Sequence, residues 1–389
     1  MNRLLFVALL LVLTSCASDP SVEVVNNDAA NFGKAEDQLF WSFEQKVAGF
    51  RNMDKLTWTR PVPAGDKPYA LPRNEVDLSA VEFTFGDRVW TVDEYVDSEK
   101  VAGLIVVLDG VVRYERYELG NTEESRWVSY SVAKSVTSLL VGAAIKDGYI
   151  DSVDESVTDY LPRLKNSAYE ESSISNLLQM SSGVEWNEDY ADPESDINRT
   201  PWATLDVFDY LRSKPRASAP GEVFSYNTAE TNIVGDIVRS AVGNNLSTYL
   251  SEKIWKTFGM EHDAYWVLTG PGAGEFGGSS LSATLRDYAR IGLFALNNGV
   301  LPDGTKVLPD DWMKQSTTPS QAYPGYGYLW WLRDNGTFAA SGIFGQQIHI
   351  DPAHKVVIAL HGARNEASNP DDWRLMRAAL AALSDAARN

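Results

Sequence analysis

Ser131-Val132-Ala133-Lys134 is the stretch that decides how the rest of this chain is read. Residues three apart on a helix are neighbours, so a hydroxyl and an amine share one face of one turn. A serine hydroxyl is a poor nucleophile until a base takes its proton. A lysine kept partly neutral by burial or by neighbouring cations serves as that base. The tetrapeptide alone is common, with about one match expected by chance in a chain of this composition. Its surroundings carry the argument. Trp127-Val128-Ser129-Tyr130 leads in, and Val132, Val136, Leu139, Leu140, Ala143 and Ala144 recur at the helical period. Asp147-Gly148 stops the helix. Ser131 therefore falls at the first turn, where free backbone N–H groups and the helix dipole favour developing negative charge.

The N-terminus reads as an export signal. Arg3 is a short positive region, and Leu4 to Leu13 is an apolar run too short to span a bilayer. Leu13-Thr14-Ser15-Cys16 resembles a bacterial lipobox, which makes residues 1–16 a lipoprotein signal peptide and Cys16 the lipidation site. Ala17 rather than aspartate follows it, which favours the outer membrane over inner-membrane retention. The expected location is the cell envelope, lipid-anchored on the periplasmic side, or secreted. Cys16 is the only cysteine, so the fold has no internal disulfide. Residues 17–34 are polar and read as a tether. The 44% hydrophobic content and 12 tryptophans imply a substantial core. A net charge of −19 argues against nucleic acid and against an anionic membrane surface, so the lipid is the one expected membrane contact.

Residues 35–100 carry scattered aromatics and proline-rich turns and read as an extension packed on the main domain, which spans residues 101–389. Val101 to Leu108 predicts a buried strand, Asp109-Gly110 a hairpin turn, and Val111 to Leu119 the returning strand. Residues 151–298 read as a mainly helical insertion. Its expected helices are Ile174 to Met180, Thr204 to Leu211, Thr228 to Val242, and Ser282 to Leu296 capped by Ser282. Later strands are expected at Tyr326 to Leu332, Thr337 to Ala340, Gln346 to Ile350 and Val356 to Leu360. A closing helix starts at Asn369-Pro370. The pattern implies one discontinuous α/β (α+β) domain with its cleft where the halves meet.

Pro220-Gly221-Glu222-Val223-Phe224-Ser225-Tyr226-Asn227-Thr228 is the second informative stretch. A turn, a short extended run and a helix start can aim the Tyr226 phenol into a cleft, where a lysine ammonium would ease its ionisation. With the Ser131 motif this resembles the serine β-lactamase-like superfamily, nearest its class C enzymes, related esterases and 6-aminohexanoate-dimer hydrolases. The resemblance covers about Val101 to Ala363 and includes Leu177 to Gly183, Leu281 to Asp287, Tyr326 to Trp331 and Ser341 to Gln346. It implies a β-lactamase/transpeptidase-like fold, an antiparallel sheet flanked by helices with a helical insertion subdomain. It also implies Ser131 as nucleophile, Lys134 and Tyr226 sharing the base and acid roles, and an oxyanion hole from the backbone N–H groups of Ser131 and Ile343. The chain departs twice from the pattern. Tyr226-Asn227-Thr228 replaces Tyr-x-Asn, and Lys-Thr-Gly is missing, the segment reading Thr337 to Gly342. The lost cation puts β-lactam or peptidoglycan recognition in doubt but leaves acyl transfer intact.

Weaker candidates for substrate contact are Trp186, Asn227, Trp331, Gly345 and Gln346. Trp330 and Trp331 fall on opposite strand faces, one for the core and one for the site. The acidic loop from Gly183 to Pro201 reads either as a lid that receives an amine or, more plainly, as a solvated loop. The four histidines lack metal-ligand spacing and no metal or other cofactor is implied. The resulting expectation is an extracytoplasmic serine hydrolase cleaving a small ester or amide through an acyl-enzyme. The alternatives are β-lactamase or D,D-peptidase activity, or a non-catalytic envelope-binding module.

Overall fold

A computed structural model describes residues 27–202 and 204–389. The signal peptide, Cys16 and most of the tether lie outside the described residues. The strands are β1 (Thr59–Val62), β2 (Glu82–Phe85), β3 (Arg88–Thr91), β4 (Val101–Leu108), β5 (Val111–Tyr117), β6 (Arg126–Val128), β7 (Ala264–Val267), β8 (Leu281–Thr284), β9 (Trp331–Leu332), β10 (Phe338–Ser341), β11 (Gln347–Asp351) and β12 (Val356–Gly362). The main sheet has six antiparallel strands in the order β5-β4-β12-β11-β10-β9. β4 and β12 sit near its centre, and both are buried along nearly their whole length because helices cover both faces. On one face Ile105, Val107 and Val357 meet the Val132–Lys146 helix and the Leu285–Leu296 helix. On the other, Leu104, Val106 and Ile358 meet Leu375, Met376, Leu380 and Leu383 of the Pro370–Ala386 helix.

A second antiparallel sheet, β1-β7-β8-β6, was not expected. Two of its strands, β7 and β8, interrupt the region read as helical. Leu281–Thr284 is fully buried and only four residues long, too short for its apolar and polar alternation to mark a strand. Ser282 accordingly lies within β8, paired to Val128 and Tyr265, and the following helix is capped by Thr284, whose side chain accepts from the Asp287 N–H. The strand expected over Tyr326 to Leu332 shrinks to Trp331–Leu332. Leu329 has φ +62°, and the Gly327 N–H donates to Trp330 O at 3.0 Å, so most of that segment is a tight turn.

The second sheet places the end of β6 beneath the Ser131 turn. Its core is continuous with the Phe43–Arg51 helix, which precedes the main domain. Phe50 is fully buried there. Its ring lies 5.8 Å from Trp127, 5.1 Å from Tyr130 and 5.4 Å from Phe344. Lys46, also buried, donates to Arg364 O at 3.1 Å and sits 4.4 Å from the Phe344 ring centroid. The N-terminal segment thus packs against two loops that both face the site. Phe50→Ala is expected to cost about 3–5 kcal/mol through the cavity it leaves. A shifted urea transition would read that loss, and an unshifted one would mean the segment packs without holding the fold.

Candidate active site

Ser131 is the N-cap of the Val132–Lys146 helix and its residue is 7% exposed. Tyr130 precedes it with φ +44°, a left-handed conformation that costs a non-glycine residue on the order of 1–2 kcal/mol. The aromatic packing of Tyr130 against Phe50 and Phe344 holds that turn, as does its carbonyl, which accepts from Ala133 N and Ser280 N at 3.1 Å each.

Lys134 is 1% exposed, and its ammonium has three acceptors: Ser131 Oγ at 3.2 Å, Thr228 Oγ1 at 2.9 Å and Gly278 O at 2.6 Å. Burial pushes its pKa down to about 7, while Glu188 opposes the shift. The hydrogen-bond directions follow from donor counting. Glu188 is a carboxylate and only accepts, so the Thr228 hydroxyl donates to Glu188 Oε1 and must accept from Lys134. Gly278 O likewise only accepts. A neutral Lys134 therefore spends both N–H groups on Thr228 and Gly278, and its lone pair is left for the Ser131 proton.

Tyr226 stands beside Ser131, with its ring centroid 5.2 Å from Lys134 Nζ, and stacks on Trp331 at 5.7 Å and 18°. Burial, with Glu188 adding to it, holds the phenol well above its ordinary range. This reverses the expectation of easier ionisation, because burial of the phenol is the largest influence on it.

Ile343 follows β10 and lines the same cavity as Tyr226. Among the described residues its N–H and that of Ser131 donate to no other backbone group, whereas Gly342 N and Phe344 N on either side are bound to Gln346 O and Oε1 at 2.8 and 3.1 Å. A Cβ on Gly342 would meet Ser129 O at 2.4 Å, so glycine is what lets this loop approach the Ser131 turn.

The remaining candidates separate. Trp331 lines the cavity and Trp330 is fully buried in the core. Asn227 does not reach the cavity. It caps the Thr228–Val242 helix, accepting from Glu230 N at 3.2 Å, and is wholly buried. Gln346 is buried and bridges Phe344 N and Gly362 O, while Gly345, at φ +93°, has Arg364 against the position a Cβ would take. Both shape the loop and neither lines the cavity. Trp186 donates its indole N–H to Glu188 and packs on the core.

Glu188 was overlooked as an individual residue within the acidic loop. Its carboxylate receives Thr228 N at 3.0 Å, Tyr190 OH at 2.9 Å, the Thr228 hydroxyl and the Trp186 indole. The available signal was its position between Trp186 and Tyr190, which in an extended segment turn to the same side as Glu188 itself. Asp196 of the same loop is also inward, receiving Asn187 N at 2.8 Å, the Tyr210 hydroxyl and Lys214. Glu185, Asp189 and Glu194 are exposed, as the plainer reading had it. Ser341, at the end of β10, also lines the cavity, with a buried Oγ that has no protein partner.

The cavity measures about 540 Å³ and is walled by Glu188, Tyr190, Tyr226, Trp331, Ile343 and residues of the Pro370–Ala386 helix. A larger hollow of about 950 Å³ near Arg60, Arg239 and Gly270 contains no activated nucleophile, and its two arginines are paired to Glu275 and Asp236. Among the described residues no cluster of His, Cys, Asp and Glu suits a metal ion, and no helix is long and apolar enough to cross a membrane. His361 is sandwiched by Trp127 and Tyr288 and held down to about 3 by burial.

A 6-aminohexanoate-dimer hydrolase of Paenarthrobacter ureafaciens is 29% identical over 296 residues, covering 70% of this chain and 74% of that protein. A solved structure from Bacillus anthracis, whose name assigns it provisionally to the 6-aminohexanoate-dimer hydrolases, superposes with a TM-score of 0.78 at 26% identity, over 88% of this chain and 94% of that one. A class C β-lactamase mutant shares the fold, with a TM-score of 0.56 at 17% identity over 76% and 95% of the two chains. The Beta-lactamase family signature matches residues 91–381. With that match spanning most of its length, the chain belongs to the beta-lactamase family and is a serine hydrolase.

Proposed function

We propose that the protein hydrolyses a small ester or amide through an acyl-enzyme on Ser131. The observation that carries this reading is the buried Lys134 amine, 3.2 Å from Ser131 Oγ with its other two bonds committed. Lys134 takes the Ser131 proton as Oγ bonds to the substrate carbonyl carbon. The carbonyl oxygen gains the charge and receives the N–H groups of Ser131 and Ile343, an arrangement commonly worth a few kcal/mol. Collapse breaks the bond to the leaving group, which takes the Tyr226 proton, and Lys134 returns a proton to Tyr226. Water then attacks the acyl carbon by the same route in reverse and frees Ser131. The amide half of the reading is supported by the relative from Paenarthrobacter ureafaciens, whose name is that of an amide-dimer hydrolase. Export and lipid attachment at Cys16 belong to the same proposal, and labelling of the intact chain with a radioactive fatty acid, lost in Cys16→Ala, tests them.

Hydrolysis of a short-chain nitrophenyl ester by the chain starting after Cys16 is the direct test. Ser131→Ala is expected to fold and to lose on the order of 10⁴-fold or more in kcat. Turnover near wild type would remove Ser131 from the mechanism. Tyr226→Phe is expected to cost roughly a hundredfold, and a mild effect would leave proton delivery to Lys134 alone.

The pH profile checks the base. Activity needs neutral Lys134, so kcat/KM should rise with pH through an inflection near 7, the value to which burial brings this amine. Glu188→Gln removes the carboxylate that opposes the shift and unfixes the direction of the Thr228 hydroxyl. The inflection should then move to lower pH, with kcat lowered by about tenfold. An inflection that stays in place in this variant would separate Glu188 from Lys134.

A further inference from the structure

One wall of the cavity is unlike the rest of this acidic chain. It carries Arg333, just beyond β9, and Arg374 and Arg377 from the Pro370–Ala386 helix, with Trp373 and Pro370 beside them. Most other described arginines meet a carboxylate even on the exposed surface, as Arg88 does Glu94 and Arg199 does Glu194, with Arg113, Arg126, Arg163 and Arg212 the exceptions. Arg333 and Arg377 do not. Among the described residues neither has a carboxylate oxygen within 4.0 Å. Arg333 uses one Nη on the neighbouring Leu332 carbonyl at 3.0 Å, and Arg374 pairs with Asp371 one turn back.

Nothing else in the cavity neutralises this pair. Glu188 is the one carboxylate in its lining, and both its oxygens are taken by Thr228, Tyr190 and Trp186. Behind the arginines, Asp351 is bound to His354 and Ser384, Asp385 is paired with Arg388, and Asp334 faces solvent. Burial lowers the pKa of both Arg333 and Arg377, and each also feels the next guanidinium, Arg377 on Arg333 and Arg374 on Arg377. Two forked cations held together without an anion are a site prepared for one, since guanidinium pairs with carboxylate through two parallel bonds. Between them and Tyr226 the wall is aromatic, with Trp331 and Tyr323.

We infer that this wall is an anion subsite, and that the substrate is an ester or amide bearing a carboxylate remote from the scissile bond. Arg333 and Arg377 hold the carboxylate, Trp331 and Tyr323 flank an apolar spacer, and the carbonyl reaches Ser131. The inference rests on the hydrolase reading above and names the substrate class for it.

The test uses two nitrophenyl esters of one six-carbon diacid, one with its far carboxylate free and one with it methylated. Wild type is expected to prefer the free carboxylate by about tenfold or more in kcat/KM, with the preference falling as salt is raised. In the Arg333→Gln/Arg377→Gln variant the ratio should fall to near one. A wild-type ratio at or below one, or a preference that survives the double substitution, overturns the subsite. A second arm does not need turnover. The Ser131→Ala protein is titrated with the monomethyl ester of the same diacid by calorimetry, with and without the arginine substitutions. Binding that depends on the arginines supports the subsite even if neither nitrophenyl ester is cleaved, in which case the hydrolase reading alone fails. Absence of binding, or binding indifferent to the arginines, overturns the subsite even if both esters are cleaved.

Discussion

Everything at this site depends on keeping one lysine out of water. An ammonium in bulk solvent keeps its proton up to about pH 10, and as a base near neutral pH it would be idle. Lys134 is drawn into the core by a helix that is buried from Val132 to Ala144, and desolvation brings its pKa to about 7. Burying an amine without partners would be costly. Gly278 O and Thr228 Oγ1 supply them from two other parts of the chain, the segment before β8 and the Thr228–Val242 helix. The proposed base is therefore a product of three segments meeting, with Ser131 as its remaining neighbour once Thr228 and Gly278 are bonded.

The proposed nucleophile sits in an equally constrained frame. Ser131 follows a residue in a left-handed conformation, and the loop after β10 reaches it only because Gly342 has no side chain. Both features are held from outside by the aromatic cluster of Phe50, Trp127, Tyr130 and Phe344. Phe50 lies before residue 91, where the family match begins, so part of the support for this site comes from a segment outside the shared domain. Strain at Tyr130 persists because its neighbours over-determine it, which is how such conformations survive at functional positions.

Charge is distributed by the same logic. The chain carries a net −19, yet the cavity holds one carboxylate, already committed, and three arginines. The acidic residues of the 183–201 loop divide by direction. Glu188 and Asp196 turn inward and are fully bonded, while Glu185, Asp189 and Glu194 face solvent. Composition describes the solvated majority and says nothing of the two that matter for architecture.

What the sequence determined by itself was whatever local periodicity and local chemistry encode. Val101–Leu108, the Asp109-Gly110 turn and the helices starting after Ser131, Asn227 and Asn369 are legible because an apolar run, a turn pair or a cap needs only its neighbours in the chain. The Ser131 and Lys134 pairing is local for the same reason, being one helical turn. Four-residue strands such as Leu281–Thr284 were invisible, since so short a strand carries too little pattern to read and exists only through its partners. The fate of the polar candidates was also decided in three dimensions. Asn227 turned into a helix cap and Gln346 into a loop brace, while Glu188, Ser341 and Arg333, Arg374 and Arg377 entered the cavity, because burial and direction depend on residues tens to hundreds of positions away.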